Sequence, residues 1–85
     1  MSRHLIYGVH LTNRIKEAGA VQKLFSEYGC NIKTRIGLHD VDEKHCSPSG
    51  LILLEMFGAP ARCRELKAKL EKVEGVEIKQ ILFPS

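Results

Sequence analysis

The spacing of hydrophobic and polar residues changes period several times along the chain. Residues 4–11 alternate with a period of two, which predicts a half-buried strand. Residues 14–28 repeat apolar side chains every three or four positions, which predicts an amphipathic helix. One row of the strand carries Leu5, Tyr7, Val9 and Leu11, the other carries Ile6, Gly8 and His10, and the helical stripe is Ile15, Ala18, Val21, Leu24, Phe25 and Tyr28.

A second strand is predicted over residues 31–38. Gly29 precedes it and is expected to end the first helix in the left-handed conformation that glycine adopts easily. The following segment, 39–50, is the most polar of the chain and is predicted to be a loop. In the strand we expect Ile32, Thr34, Ile36 and Leu38 to face inward and Lys33 and Arg35 to face outward.

The second half of the chain repeats the pattern of strand, helix and strand. Residues 51–57 predict a strand that is apolar on both rows. Pro60 suits the first turn of a helix, where a backbone N–H is not needed. Gly75 ends that helix, and residues 76–83 predict the last strand. The buried stripe of the second helix is expected to be Cys63, Leu66, Leu70 and Val73.

Together these elements predict a single α+β domain spanning residues 1–85. The order βαββαβ is that of a ferredoxin-like fold. Right-handed crossovers place both helices on one face of a four-stranded antiparallel sheet.

The third strand has more apolar side chains than two short helices can cover. Leu51, Leu53 and Phe57 lie on one row, and the opposite row is also apolar. An exposed apolar sheet face usually marks an interaction surface. We therefore expect these three residues to form an interface in a homo-oligomer, a dimer or a tetramer, by sheet stacking or by edge pairing. The alternative is that loop 39–50 covers the ends of the strands.

Composition and charge narrow the class of protein. The 85 residues carry a net charge of only +3, which does not favour nucleic acid as a partner. Three cysteines without a paired spacing argue against a disulfide framework and suit the cytoplasm. No apolar run is long enough to span a membrane. No set of nucleophile, base and orienting residue is legible, so we expect a protein that is not an enzyme.

Two segments carry candidate binding chemistry. Asn13 and Arg14 stand at the start of the first helix, where free N–H groups and a guanidinium suit an anionic ligand. The alternative is that Asn13 caps the helix and Arg14 is solvated. His39, His45 and Cys46 combine imidazole and thiolate groups that suit a transition metal. The alternative for this segment is a polar hairpin loop.

The first half of the chain resembles the amino-acid-sensing ACT domains. The likeness is carried by Asn13-Arg14 and by residues 23–32, KLFSEYGCNI. In that family an effector binds between the first turn and the start of the second strand, at a subunit interface. The resemblance implies a small-molecule effector, with Asn13 and Asn31 at polar contact positions.

A resemblance over nearly the whole chain is to the small iron-only hydrogenase system regulators. It is carried by Asn13-Arg14, by residues 34–39, TRIGLH, and by residues 46–52, CSPSGLI. This resemblance implies an ACT-like fold and a regulatory function. A related fold serves as the nickel-sensing domain of a bacterial repressor, which keeps His39, His45 and Cys46 as metal candidates.

Overall fold

The computed structural model describes residues 4–12, 18–41 and 46–84. The elements follow the order βαββαβ, with a short 3-10 turn at Gly29–Asn31 between the first helix and the second strand. The strands form one antiparallel sheet in the order β2-β3-β1-β4, which confirms the predicted α+β fold. The elements are β1 (His4–Leu11), α1 (Ala18–Glu27), β2 (Ile32–Val41), β3 (Cys46–Met56), α2 (Pro60–Glu71) and β4 (Val76–Phe83).

One hydrophobic core lies between the sheet and the two helices. The central strands β1 and β3 supply the predicted rows, and both helices pack on the same face of the sheet. The predicted stripe of α2 is buried throughout, and Pro60 lies in its first turn as expected. The core consists of Tyr7, Val9, Val21, Phe25, Tyr28, Ile52, Leu54, Met56, Cys63, Leu66, Leu70 and Val73.

Polar contacts join the two helices at the rim of this core. The Tyr28 ring lies between two cations of α2, with the Arg62 guanidinium 4.4 Å and the Lys69 ammonium 5.1 Å from its centroid. The Lys69 ammonium also lies 3.2 Å from the carboxylate of Glu27 on α1. The Tyr28 hydroxyl donates a hydrogen bond to the Glu65 carboxylate at 3.2 Å. These contacts fix α1 against α2 where the apolar core ends.

From Thr34 onward, the side chains of the second strand lie on the face of the sheet opposite to the one that the sequence predicts. Ile32 lies opposite Met56, whereas Thr34 lies opposite Glu55, so two steps along β2 match one step along β3. This β-bulge changes the face on which the following residues lie, because side chains alternate strictly along a strand. The inward assignment of Thr34, Ile36 and Leu38 is therefore wrong: Ile36 is 49% and Leu38 is 38% exposed.

Arg35 also lies on the face of the sheet opposite to the one predicted. It was expected to face outward, but it lies opposite the buried Leu54. Its guanidinium lies 4.7 Å from the centroid of the Phe25 ring and donates a 3.1 Å hydrogen bond to the side-chain oxygen of Gln22. Arg35 thus covers one edge of the core by a cation–π contact with α1.

The left-handed glycines are Gly58 and Gly75, with φ of 90° and 88°. Gly75 was expected to end the second helix, but α2 ends at Glu71 with Lys72 as its C-cap, and Gly75 lies in the turn that leads into β4. The expectation for Gly29 is wrong, because Gly29 begins the 3-10 turn instead of adopting a positive φ. That turn is held from outside the helix, since the N–H of Phe57 donates to the carbonyl oxygen of Asn31 at 2.8 Å.

Most of the expected loop 39–50 is paired strand. Val41 lies opposite Cys46, and His39 lies opposite Pro48, so β2 and β3 form a long hairpin. Among the described residues the register of β1 with β3 extends no further than Leu51, so the stretch of β3 around Pro48 is an edge on that flank. Proline is tolerated on such an edge because its missing N–H breaks no ladder bond.

Candidate functional site

The sheet has an outer face, the side turned away from the helices, and that face is rich in apolar side chains. Ile36 lies opposite Leu53, Leu53 lies opposite Gly8, and Ile6 lies opposite Ile81. Apolar residues thus cross all four strands. We call the following set the outer apolar stripe: Ile6, Ile36, Leu51, Leu53, Ile81 and Phe83.

Much of the outer apolar stripe is open to solvent. Ile36, Ile81 and Phe83 are 49%, 54% and 55% exposed. Gly8 lies among them without a side chain, and a Cβ built there would lie 3.9 Å from the Leu53 Cδ2 atom. Leu53 therefore leans over the place where a β1 side chain would stand. The result is a shallow apolar surface with no helix or loop of the described residues packed on its core.

Two of the three predicted interface residues belong to the stripe. Leu51 and Leu53 lie on the outer face and are half-buried. Phe57 directly follows β3 and is 64% exposed. Sequence reasoning missed Ile36, because the bulge in β2 that places it there leaves no mark in the alternation of residues.

Charged pairs flank the apolar stripe. The His4 Nδ1 atom lies 3.3 Å from the Glu55 carboxylate, which also accepts a hydrogen bond from the Thr34 hydroxyl at 3.3 Å. The hydrogen bond from His4 holds the pKa of the Glu55 carboxyl below its usual value. His10 and Glu77 form a second, looser pair at 3.8 Å. The face therefore has two carboxylates, each beside an imidazole, around an apolar centre, and a polar rim around an apolar centre is typical of protein interfaces.

Of the predicted ligand residues, Asn31 is placed and Asn13 and Arg14 lie outside the described residues. The Asn31 side-chain nitrogen donates to the carbonyl oxygen of Phe57 at 3.0 Å. Together with the main-chain hydrogen bond from the Phe57 N–H to the Asn31 carbonyl oxygen, this bond joins the start of β2 to the end of β3. Asn31 thus has a structural contact, and its role in binding an effector stays a prediction.

The predicted metal residues are placed in part. His39 lies on β2 and Cys46 on β3, near the distal end of the long hairpin, and His45 lies outside the described residues. Among the described residues, no group of three or more His, Cys, Asp or Glu side chains is arranged to hold a metal ion. The metal site stays a prediction.

Two further findings concern the thiols and the helices. Cys30 is exposed, and Cys63 is buried with its thiol donating to the carbonyl oxygen of Phe57 at 3.8 Å. In the part of the chain that the structure describes, neither helix combines the length and apolar character required to cross a bilayer.

Comparison with known proteins establishes the fold. A solved structure, that of uncharacterized protein TM1266 from Thermotoga maritima, matches with a TM-score of 0.74 at 22% sequence identity, covering 96% of this chain and 99% of that one. At this identity the likeness supports the fold alone. No protein-family model matches the chain, and no curated protein matches it.

A second solved structure is PelD, residues 158 to the C-terminus, from Pseudomonas aeruginosa PAO1. It matches with a TM-score of 0.48 at 18% identity, covering 94% of this chain and 31% of that one. The similarity is too low to support any argument about this chain.

Proposed function

We propose that this chain is a non-catalytic regulatory module that forms a homo-oligomer and binds a small effector or a partner protein at the interface between copies. The observation that carries the proposal is the outer apolar stripe, which crosses all four strands while Ile36, Ile81 and Phe83 remain largely exposed. Burying such a surface is favourable by about 25 cal/mol per Å².

A second copy of the chain is the occupant that suits the stripe. Four strands about 4.8 Å apart and about seven residues long at ~3.3 Å per residue cover about 450 Å². Stacking two copies therefore removes on the order of 900 Å² from water, close to the ~1,000 Å² at which specific interfaces begin. The flanking groups include the acidic Glu55 and Glu77 and the basic Lys79, so groups of opposite charge are available for contacts between two copies.

Edge pairing is the other geometry by which copies can join, and β4 is the edge that suits it. The two outer strands of the sheet are β2 and β4. The register of β2 shifts between Ile32 and Thr34 and again between Gly37 and His39. Such bulges twist an edge away from new partners. The register of β4 with β1 is regular from Val76 to Phe83, so its free edge is flat enough to pair.

The sequence resemblance described above extends the proposal to a biological setting. It suggests regulation of an iron-only hydrogenase system, with the protein acting in the cytoplasm. The proposed effector contacts are Asn13 and Asn31, from the resemblance to ACT domains, and Arg14, whose guanidinium suits an anionic ligand.

Two neighbouring residues on opposite faces of β4 provide the test. Ile81→Glu places a charge in the outer apolar stripe, and Leu82→Glu places the same charge on the helix side, where Leu82 is 44% exposed. Light scattering at tens of micromolar protein should show an oligomer for the wild type and Leu82→Glu and a monomer for Ile81→Glu. If both variants keep the wild-type mass, the stripe is not the interface and the proposal fails.

A further inference from the structure

A cleft of about 390 Å³ lies on the helix side of the sheet, between α2 and the adjoining strands β1 and β4. This volume falls in the range of small-molecule sites. Leu5, Tyr7 and Leu82 give it an apolar wall, and Arg64, Lys67 and Gln80 give it a polar one. The cleft is on the opposite side of the sheet from the outer apolar stripe, so it is separate from the proposed interface.

The two cations of the cleft differ from the other cations of α2. Arg62 lies 2.8 Å from the Glu65 carboxylate, and Lys69 lies 3.2 Å from that of Glu27. Arg64 and Lys67 form no such ion pair with any described residue, and they stand three positions apart, where side chains of a helix are neighbours. Among the described residues, no aspartate or glutamate lines the cleft.

Tyr7 adds no negative charge to this site. Its hydroxyl donates a 2.9 Å hydrogen bond to the carbonyl oxygen of Cys63. Burial is the main cause that raises the pKa of Tyr7 to about 12; the nearby Cys63 and the Glu71 carboxylate add to the rise, and the charge of Arg64 opposes it. At neutral pH the phenol is therefore uncharged, and Tyr7 offers its ring as part of the apolar wall.

We propose that this cleft binds a small organic anion. The carboxylate or phosphate of the ligand pairs with Arg64 and Lys67, because each cation provides charge-assisted N–H donors. The hydrocarbon part lies against Leu5 and Leu82, and the side-chain amide of Gln80 donates to the same anionic group. Since no carboxylate lines the cleft, an ammonium group on the ligand is desolvated without a partner and weakens binding. The site therefore selects organic acids or phosphate esters over amino acids.

The test is a titration of the ¹⁵N-labelled protein, followed by amide chemical shifts, with matched small molecules. The probes are 4-methylpentanoate, leucine (the same acid with an added 2-amino group), 3-methylbutylamine and phenyl phosphate. We expect saturable shifts at residues 5–7, 64–67 and 80–82 with the acid, the phosphate or both. Leucine should bind at least about fivefold more weakly than 4-methylpentanoate, and the amine should not bind. Comparing the affinities for phenyl phosphate and 4-methylpentanoate identifies which anionic group the site prefers.

Variants of α2 complete the test. The double variant Arg64→Gln/Lys67→Gln should weaken binding at least about tenfold, since it removes the charge-assisted hydrogen bonds of both cations to the anion. Arg62→Gln removes one positive charge from the same helix outside the cleft and should change affinity less than about twofold. Unchanged affinity in the double variant, shifts located elsewhere, or equal binding of leucine and 4-methylpentanoate would overturn the proposal.

The test also separates this site from the interface. A lower molar mass of the double variant would mean that another copy of the chain fills the cleft, which would likewise overturn the proposal. A monomeric wild type that still binds the anion would leave the cleft in place and remove the oligomer instead.

Discussion

The hydroxyl of Tyr7 on β1 donates a 2.9 Å hydrogen bond to the carbonyl oxygen of Cys63 on α2. Tyr7 is 1% exposed, so this bond forms within the core. Tyr7→Phe should lower the free energy of unfolding by about 1 kcal/mol, the net value of a buried neutral hydrogen bond. Urea denaturation measures it. Tyr28→Phe is the comparison, since its 3.2 Å bond goes to the half-exposed Glu65 carboxylate, which water can solvate once the bond is lost, so its loss should cost less. An equal decrease in the free energy of unfolding for the two variants would contradict this prediction.

The same residue predicts a dependence of stability on alkaline pH. Burial raises the pKa of Tyr7 from 10.0 to about 12. Between these values the unfolded chain releases the phenol proton while the folded chain keeps it, so the free energy of unfolding falls as pH rises. The contribution is fully present below pH 10. Tyr7→Phe should lose less stability over this interval than the wild type, and parallel profiles of the two proteins would contradict the assignment.

Gly58 makes the connection between β3 and α2 possible. Its φ is 90°, and a Cβ built there would lie 2.9 Å from the Asn31 side-chain nitrogen that binds Phe57. Gly58→Ala should therefore lower the free energy of unfolding by about 1–3 kcal/mol, the usual cost of a strained backbone position. Gly29→Ala is the matched control, because no atom lies within 4 Å of the added methyl group. Thermal melting of both variants decides the point, and a neutral Gly58→Ala would refute it.

His4 should control the ionisation of Glu55. The hydrogen bond from His4 is the main cause that holds the pKa of Glu55 below 4.5. His4→Ala should bring that pKa back toward 4.5, as followed by the side-chain carboxyl ¹³C resonance. In the wild type the pairing stabilises the fold at pH values above the ordinary carboxyl pKa, and this contribution is lost as pH falls through the lowered pKa. A Glu55 pKa that does not respond to His4→Ala would contradict the pairing.

Regular alternation made the central strands predictable, and a bulge made β2 unpredictable. Tyr7, Val9, Ile52 and Leu54 are buried as their period-two rows indicated. Ile36 has an equally apolar row in the sequence, yet it lies on the outer face, because the register shift before Thr34 depends on how β2 meets β3. A long-range pairing of this kind leaves no local signal in the chain.

One part of the candidate sites could be predicted from the sequence and another could not. An excess of apolar residues indicated an interface at Leu51 and Leu53, since the third strand is apolar on both rows. The cleft at Arg64 and Lys67 was not predicted, because alternating charges on a helix are usually a solvated face. What distinguishes these two cations is that they form no ion pair with any described residue and line a cleft, which exists only because α2 packs on β1 and β4.

The molar mass of the wild-type protein in solution tests the central claim, that another copy of the chain covers the outer apolar stripe. The chain has a mass of 9.6 kDa. Sedimentation equilibrium over a range of concentrations reaching tens of micromolar should give two or four times that mass, with Ile81→Glu remaining at one. A wild-type protein that stays at 9.6 kDa across the range, with its sheet face exposed to water, would contradict the account.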